Sequence, residues 1–494
     1  MEHLYIAVLA TAMFLWATSK YASQRQRNKQ GLPLPPGPKG LPIIGNILDM
    51  PVDNQWLVYD EWFKTYGATV CDIISFEALG SRFIILGSLA RTEDLFEKRS
   101  SIYSSRPRMP MAMELMRWDI IMSFLPYGSW WRRHRKVFHD HFHPNVVDKY
   151  NPVQLTESRA LLLRLLSSPK DFQLQVRLTF TSIIMKLAYG IQIKEKNDPY
   201  VETAEEALRG LAEAGIPGRF LVDLLPSLKY VPEWMPGASF KRMAKHWKEV
   251  NGKMGGKPWD DVKEKMKNGT AVSSLSTTLI EALPDESDPR REEEEKVARA
   301  TAAVAFVGGA DTTVSSINSF FLAMTLYPDV LKKAQAEIDS VIGSNRLPDF
   351  GDRDSLPYIN ALAKETMRWQ AVTPLGVGHM STQDDIYDGY FIPKDSIILG
   401  NVWSILHDPV AYPDPMTFKP DRFLKDGTID PTIRNPMSAA FGFGRRICPG
   451  RYLADNSLYI IIASLVSVFD IKSPLDSQGK LIKQEPRMTS GLLS

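Results

Sequence analysis

Apolar positions recur at helical spacing along much of this 494-residue chain, and prolines or shifts in composition mark where each stretch ends. Tyr452, Leu453, Ala454, Tyr459, Ile462, Leu465, Val466 and Phe469 predict one buried helix. Between Pro289 and Pro328 lie about 35 residues that predict a helix about 50 Å long, enough to cross a domain. Glu365 and Arg368 stand at i and i+3, so a helix there puts carboxylate and guanidinium on one face. Trp131-Arg-Arg-His-Arg135-Lys136, preceded by Tyr127-Gly128, reads as a basic helix start. His407 to Phe423, rich in proline and aromatics, reads as a loop, and Asn268 to Pro289 is the most linker-like stretch. Phe220–Leu225 with Trp234–Gly237 is apolar and proline-bounded; membrane contact and core packing both suit it.

The N-terminus carries a different pattern. Leu4 to Ser19 is uncharged and mostly apolar, roughly 16 residues against the usual span of about 20. Lys20 can snorkel to extend it, and Arg25, Arg27 and Lys29 follow, which places the rest of the chain in the cytosol. Glu2 argues against a cleaved signal peptide or a transit peptide. Residues 1–19 are therefore expected to be a membrane anchor, and 20–38 a basic, proline-rich hinge ending in Leu32-Pro-Leu-Pro-Pro-Gly-Pro38. With that topology the sequon at Asn268 stays unglycosylated. The formal charge of +2 disfavours a nucleic-acid partner, and two cysteines exclude a disulfide framework.

One of those cysteines is candidate chemistry. Cys448 lies in Phe441-Gly-Phe-Gly444-Arg-Arg446-Ile-Cys448-Pro-Gly450, just ahead of a predicted helix. Unpaired N–H groups and the helix dipole stabilise a thiolate there. Gly444 and Gly450 allow close backbone approach, Phe441 can shield the sulfur, and Arg446 brings a fork of donors suited to a carboxylate. An isolated cysteine is more often a packing residue. The full spacing F-x-x-G-x-R-x-C-x-G, however, arises by chance in roughly one chain in ten thousand of this length. Gly308-Gly309-Ala310-Asp311-Thr312-Thr313 interrupts the long helix with glycines, which implies helix packing, close approach or distortion.

The cysteine motif resembles the haem-binding signature of the cytochromes P-450. That resemblance extends through Asp311-Thr312, Glu365-Thr-Met-Arg368, Pro420-Asp-Arg422-Phe423 and Trp131-x-x-x-Arg135 in family order. It implies a mainly α fold with small β-sheets (α+β), with residues 39–494 as one catalytic domain. It implies haem b held by the Cys448 thiolate, Trp131 and Arg135 on one propionate and His379 on the other, and Thr312 with Asp311 as proton donors to oxygen. Glu365, Arg368 and Arg422 would form a structural network under the haem. Arg132, Arg133 and Lys136 would face a reductase.

The implied activity is monooxygenation of a hydrophobic small molecule with O2 and electrons from NADPH through cytochrome P-450 reductase, with cytochrome b5 as a second donor. The implied place is the endoplasmic reticulum membrane, with the catalytic domain facing the cytosol. By family position the pocket candidates are Met111, Met113, Met116, Ile120, Ile121, Phe306, Val372, Leu375 and Val377. Their apolar character and the chain's likeness to fungal secondary-metabolism members point first to a terpenoid, with aromatic and alkaloid substrates open. The chain departs from the family after Thr489-Ser-Gly-Leu492, where a return strand is expected and Ser494 ends the sequence. Two other functions fit the same cysteine: a haem-thiolate isomerase or dehydratase that needs no O2, and a haem-bearing binding protein.

Overall fold

The stretch between Pro289 and Pro328 folds as one continuous helix, Arg291–Leu326, in the computed structural model, which describes residues 26–66, 72–216, 219–482 and 484–489. The expected anchor at 1–19 and the chain end from Ser490 lie outside the described residues, as does Cys71. Among the described residues no helix is long and apolar enough to cross a membrane.

The chain divides into two packed units. The first comprises the chain up to Pro107 together with Pro374–Ile405 and Gly442–Arg446; the second comprises Arg108–Thr373, Leu406–Phe441 and the chain from Ile447 onward.

The first unit is built on helix α1, Gln55–Tyr66, and a four-stranded sheet. Strands β1 (Ile73–Ala78) and β2 (Ser81–Leu86) form an antiparallel hairpin, Ile73 opposite Leu86. Strand β6 (Ile397–Gly400) joins β2 in parallel, and β3 (His379–Met380) closes the order β1-β2-β6-β3. Strands β4 (Asp385–Tyr387) and β5 (Tyr390–Ile392) make a separate hairpin. Alternation along β1 and β2 turns Ile74, Phe76 and Ile85 onto Tyr59 and Phe63 of α1, and this cluster is the unit's core. Residues 32–38 of the proline-rich hinge have no regular secondary structure, and the carbonyls of Pro35 and Pro36 accept from the Ser75 hydroxyl and N–H at 2.7 Å each.

The second unit is helical. Its helices are α2 (Ser129–Phe142), α3 (Asn151–Ser167), α4 (Phe172–Tyr189), α5 (Pro199–Ala214), α6 (Ser239–Lys267), α7 (Leu275–Glu281), α8 (Arg291–Leu326), α9 (Pro328–Val341), α10 (Pro357–Trp369) and α11 (Arg451–Val466). The long helix α8 packs along α4 and also meets α2, α10 and α11. Glycine permits the closest approach: a Cβ on Gly309 would stand 3.1 Å from Ile184 of α4. The helix runs on without a break there, and of the readings open for the two glycines, close helix packing describes Gly309. The stretch read as a linker, 268–289, contains helix α7, started by a capping box in which Ser274 and Thr277 satisfy each other's backbone N–H groups. A small hairpin, β7 (Leu424–Lys425) with β8 (Thr428–Ile429), follows the proline-rich loop.

Candidate haem-thiolate site

Helix α11 begins at Arg451 with Gly450 as its N-cap, so Cys448 stands two residues ahead of a helix N-terminus. The Cys448 N–H donates to the Phe441 carbonyl at 2.8 Å, which folds the motif back on itself. Three features act on the thiol. Burial pushes it up and is the largest, while the Gly450 N–H and the charges of Arg135 and Arg451 pull it down. Cys448 as a whole residue is half-buried. Arg135 of α2 donates to the Ile447 carbonyl at 2.7 Å, and Arg451 to the Cys448 carbonyl at 3.0 Å. Two cations thus hold the backbone on both sides of the sulfur. Trp131 is buried one turn before Arg135, its ring 5.2 Å from that of Tyr127.

Of the basic residues near the start of α2, Arg133 is engaged within the unit, pairing with Glu293 at 2.6 Å and Glu294 at 2.8 Å. Arg132 and Lys136 are exposed.

On α8, Gly308 is exposed although its neighbours Ala305, Phe306 and Ala310 are buried, and nothing lies within 4 Å of where its Cβ would be. The Thr312 hydroxyl, one turn on, donates to the Gly308 carbonyl at 2.7 Å. The Asp311 carboxylate pairs with Arg177 of α4 at 3.0 Å, and Glu205 of α5 lies 3.8 Å from the same guanidinium.

Glu365 and Arg368 of α10 form a fully buried pair with contacts of 2.7 and 2.9 Å, and Arg422 joins at 3.2 Å. The remaining guanidinium donors go to carbonyls of the proline-rich loop: Leu406 and Thr417 for Arg368, and Pro413, Asp414 and Thr417 for Arg422.

The first unit gathers cations. Arg446 is buried and donates to the Ser104 carbonyl at 2.7 Å. Arg106, also buried, donates to the carbonyls of Val377 and Gly378 at 2.7 and 2.9 Å. Burial and the Arg446 charge hold Arg106 well below its usual range. His379 is stacked on Phe96 at 3.9 Å, with Nδ1 2.7 Å from the Tyr103 carbonyl. Burial first, then the Arg106 charge, keep the ring neutral, so Nδ1 carries the proton and donates to Tyr103, leaving Nε2 as an acceptor. A neutral His379 therefore offers no N–H to a propionate through Nε2, whereas Arg106 does carry donors. The sequence alone does not single out Arg106; the Ser104-Ser-Arg-Pro107 stretch has no spacing that marks it.

Gly444 shows why the motif needs glycine. Its φ is +57°, its N–H donates to Glu97 at 2.8 Å, and a Cβ would sit on the Phe96 carbonyl oxygen. Gly444→Ala is expected to destabilise the protein by about 1–3 kcal/mol. Chemical denaturation checks this, and an unchanged midpoint would show that the loop has another conformation to adopt.

The pocket candidates differ in placement. Met111, Met116, Ile121 and Phe306 are buried, Phe306 edge-on to Tyr189 at 6.3 Å. Met113, Ile120, Val372 and Val377 are partly accessible, and Leu375 packs against the core cluster of the first unit.

The pattern that defines the family described as Cytochrome P450 matches residues 35–493. The cytochrome P450 monooxygenase COX2 of Coprinopsis cinerea is 51% identical over 94% of this chain and 87% of its own length. The monooxygenase COX1 of the same fungus is 44% identical over 99% of this chain and 94% of its own. A tryptamine 4-monooxygenase of Psilocybe cyanescens is 39% identical over 98% of this chain and 95% of its own. Family members carry haem b on a cysteine thiolate, and the donor set fits that group. A thiol at a helix N-terminus suits the metal, and buried guanidinium groups suit two carboxylates. This chain belongs to the cytochrome P450 family and is a monooxygenase whose cofactor is haem b held by a cysteine thiolate.

Proposed function

We propose that this enzyme hydroxylates a neutral, hydrophobic small molecule, a terpenoid-like secondary metabolite, with Cys448 as the haem ligand. Electrons come from NADPH through cytochrome P-450 reductase, with cytochrome b5 as a second donor. The observation that carries the use of O2 is the Asp311–Thr312 pair beside the open Gly308 face of α8. A haem-thiolate isomerase or dehydratase has no use for that pair. The apolar candidates Met111, Met113, Met116, Ile120, Ile121, Phe306 and Val372 support a neutral substrate.

Haem b, when bound, supplies the chemistry that reduces O2 and inserts one oxygen atom into a C–H bond while the other leaves as water. The chain's own residues move protons and hold geometry. At rest the Thr312 hydroxyl hydrogen is committed to the Gly308 carbonyl and the Asp311 carboxylate to Arg177. Thr312 becomes a donor to oxygen when its hydroxyl rotates away from Gly308. Asp311 is the acidic relay beside Thr312, and Arg177, which also faces Glu205, is the cation that holds it. Arg135 in the helical unit, and Arg446 and Arg106 in the first unit, are the guanidinium groups that would hold propionates, and the Gly450 N–H pulls the thiol down against the larger effect of burial.

The membrane placement rests on the apolar run Leu4 to Ser19 and on exposed side chains of the second unit. Leu221, Leu225, Trp234 and Met235 are exposed, while Phe220 and Val222 are buried, so that stretch serves both contact and packing. We place the enzyme on the cytosolic face of the endoplasmic reticulum with those residues toward lipid.

The test is reconstitution with reductase, NADPH and O2 on a panel of terpenoids and aromatic amines. Product that requires both NADPH and O2 supports the reading, and conversion of a substrate without O2 sinks it. In the same assay Thr312→Ala is expected to lower product formation about 100-fold while NADPH is still oxidised, with Thr312→Ser retaining most activity. Thr312→Ala turnover within about twofold of wild type would remove Thr312 from proton delivery.

A further inference from the structure

The methionine-rich turn Pro110–Leu115 is fastened near both ends to the segment after helix α5. Near its start, the Met111 N–H donates to the Asp223 carboxylate at 2.8 Å. Asp223 lies in the short turn of helix Leu221–Leu224. Near its end, Glu114 accepts from Arg108 at 2.6 Å and from Lys229 at 2.6 Å. Lys241 of α6 braces the same segment through the carbonyls of Lys229 and Val231. Asn251 of α6 donates to the Met116 carbonyl at 2.9 Å, just beyond the turn.

We propose that Asp223 is a positioning residue, and that with the Glu114 pairs it forms a pH-responsive clamp on the methionine-rich turn that sets how fast ligands exchange. Its effect on exchange rests on the reading above that Met111, Met113 and Met116 border the substrate site.

The two fastenings answer pH differently. Arg108 and then Lys229 hold the Glu114 carboxyl down to about 2, so this half stays ionised and fastened across the physiological range. Burial pushes Asp223 up to about 6, against the pull of the Met111 N–H, and the Glu114 charge adds to the rise. The charge that acts on Asp223 is that of Glu114, which is itself met by Arg108 and Lys229, while Lys241 of α6 holds the Lys229 carbonyl. Because Asp223 is raised in the closed clamp, closure favours the neutral carboxyl. The contribution is complete below the free aspartate value of about 4 and is lost as pH rises through about 6. Above that the clamp holds a charge that gains hydration when it opens.

The experiment uses the haem-loaded protein and phenylimidazole, whose capture is followed by the Soret shift in stopped flow, with each rate referred to the concentration of neutral ligand at that pH. Between about pH 5.5 and about pH 8 the rate is expected to rise about threefold in the wild type, the upper end of a change that runs between about pH 4 and about pH 6 and is moderated by partial exposure. Asp223→Asn is expected to stay slow and flat with pH. Glu114→Gln is expected to be faster at every pH with the slope kept. Amide exchange of the peptide covering the turn, corrected for intrinsic rates, needs neither haem nor turnover and is expected to follow the same pattern. A wild-type slope surviving in Asp223→Asn in both readouts overturns the clamp, as does its loss in Glu114→Gln. A pH response in amide exchange with none in phenylimidazole capture overturns the control of exchange, and with it the placement of the turn beside the substrate site.

Discussion

Cys448→Ser is expected to lose the thiolate band of the reduced, carbon monoxide-bound protein and to lower turnover by more than about 100-fold, beyond what outer-shell changes at metal sites cause. The physical reason is the ligand atom. A serine hydroxyl is nearly isosteric, but its proton is far harder to remove than a thiol's, so the pull of the Gly450 N–H and of the Arg135 and Arg451 charges falls far short of an anion there. The framework should survive. The contacts that shape the loop are made by backbone: Cys448 N–H to Phe441, Arg451 to the Cys448 carbonyl, and Arg135 to the Ile447 carbonyl. A folded protein with altered spectrum and lost activity is therefore the expected phenotype, with Cys71→Ser as control. A Cys448→Ser protein that retains the band would remove the assignment of the ligand.

Glu365→Ala is expected to destabilise the protein by about 3–5 kcal/mol, out of a total that is about 5–15 kcal/mol for ordinary domains. Its carboxylate receives Arg368 through two N–H groups, Arg422, and the Lys419 N–H at 2.7 Å. Both guanidinium groups are nearly or fully buried, so removing the acid leaves two cations with only neutral carbonyls to face within this network. The same cations pin the loop from Leu406 to Thr417, so loss of the acid should release that loop and lower haem retention together with stability. Denaturant unfolding and the haem-to-protein ratio read both effects. Glu365→Leu combined with Arg368→Met should be less destabilised than Glu365→Ala alone, since fewer buried charges then lack a partner. A loss below about 1 kcal/mol for Glu365→Ala would mean that water reaches the network.

Local rules make much of this protein legible in its sequence. Prolines at 289 and 328 bound a helix that begins and ends within two residues of them, because proline lacks an N–H and crowds the preceding turn, a preference that Pro258 inside α6 overrides. Apolar spacing after Cys448 places a helix there, and i, i+3 spacing brings Glu365 and Arg368 together. Asp388-Gly389 and Asp426-Gly427 are short-range hairpin signals too, with positive φ at all four residues, though the strands they join are too short to show alternation. The elements thus follow from periodicity, sterics and turn chemistry, which act over a few residues.

Tertiary structure alone decided the partners. Nothing in the spacing of Asp311 points to Arg177, nor of Asp223 to Met111, nor of Arg106 to the Val377 carbonyl. Those contacts depend on which faces of distant elements pack together. The pKa values of His379, Asp223 and Cys448 depend on them in turn, because burial and neighbouring charge are properties of the packed chain. The sequence by itself determined the long helix and pointed to a candidate ligand and candidate acid–base residues; packing determined which hydrogen bonds and charges each of them meets.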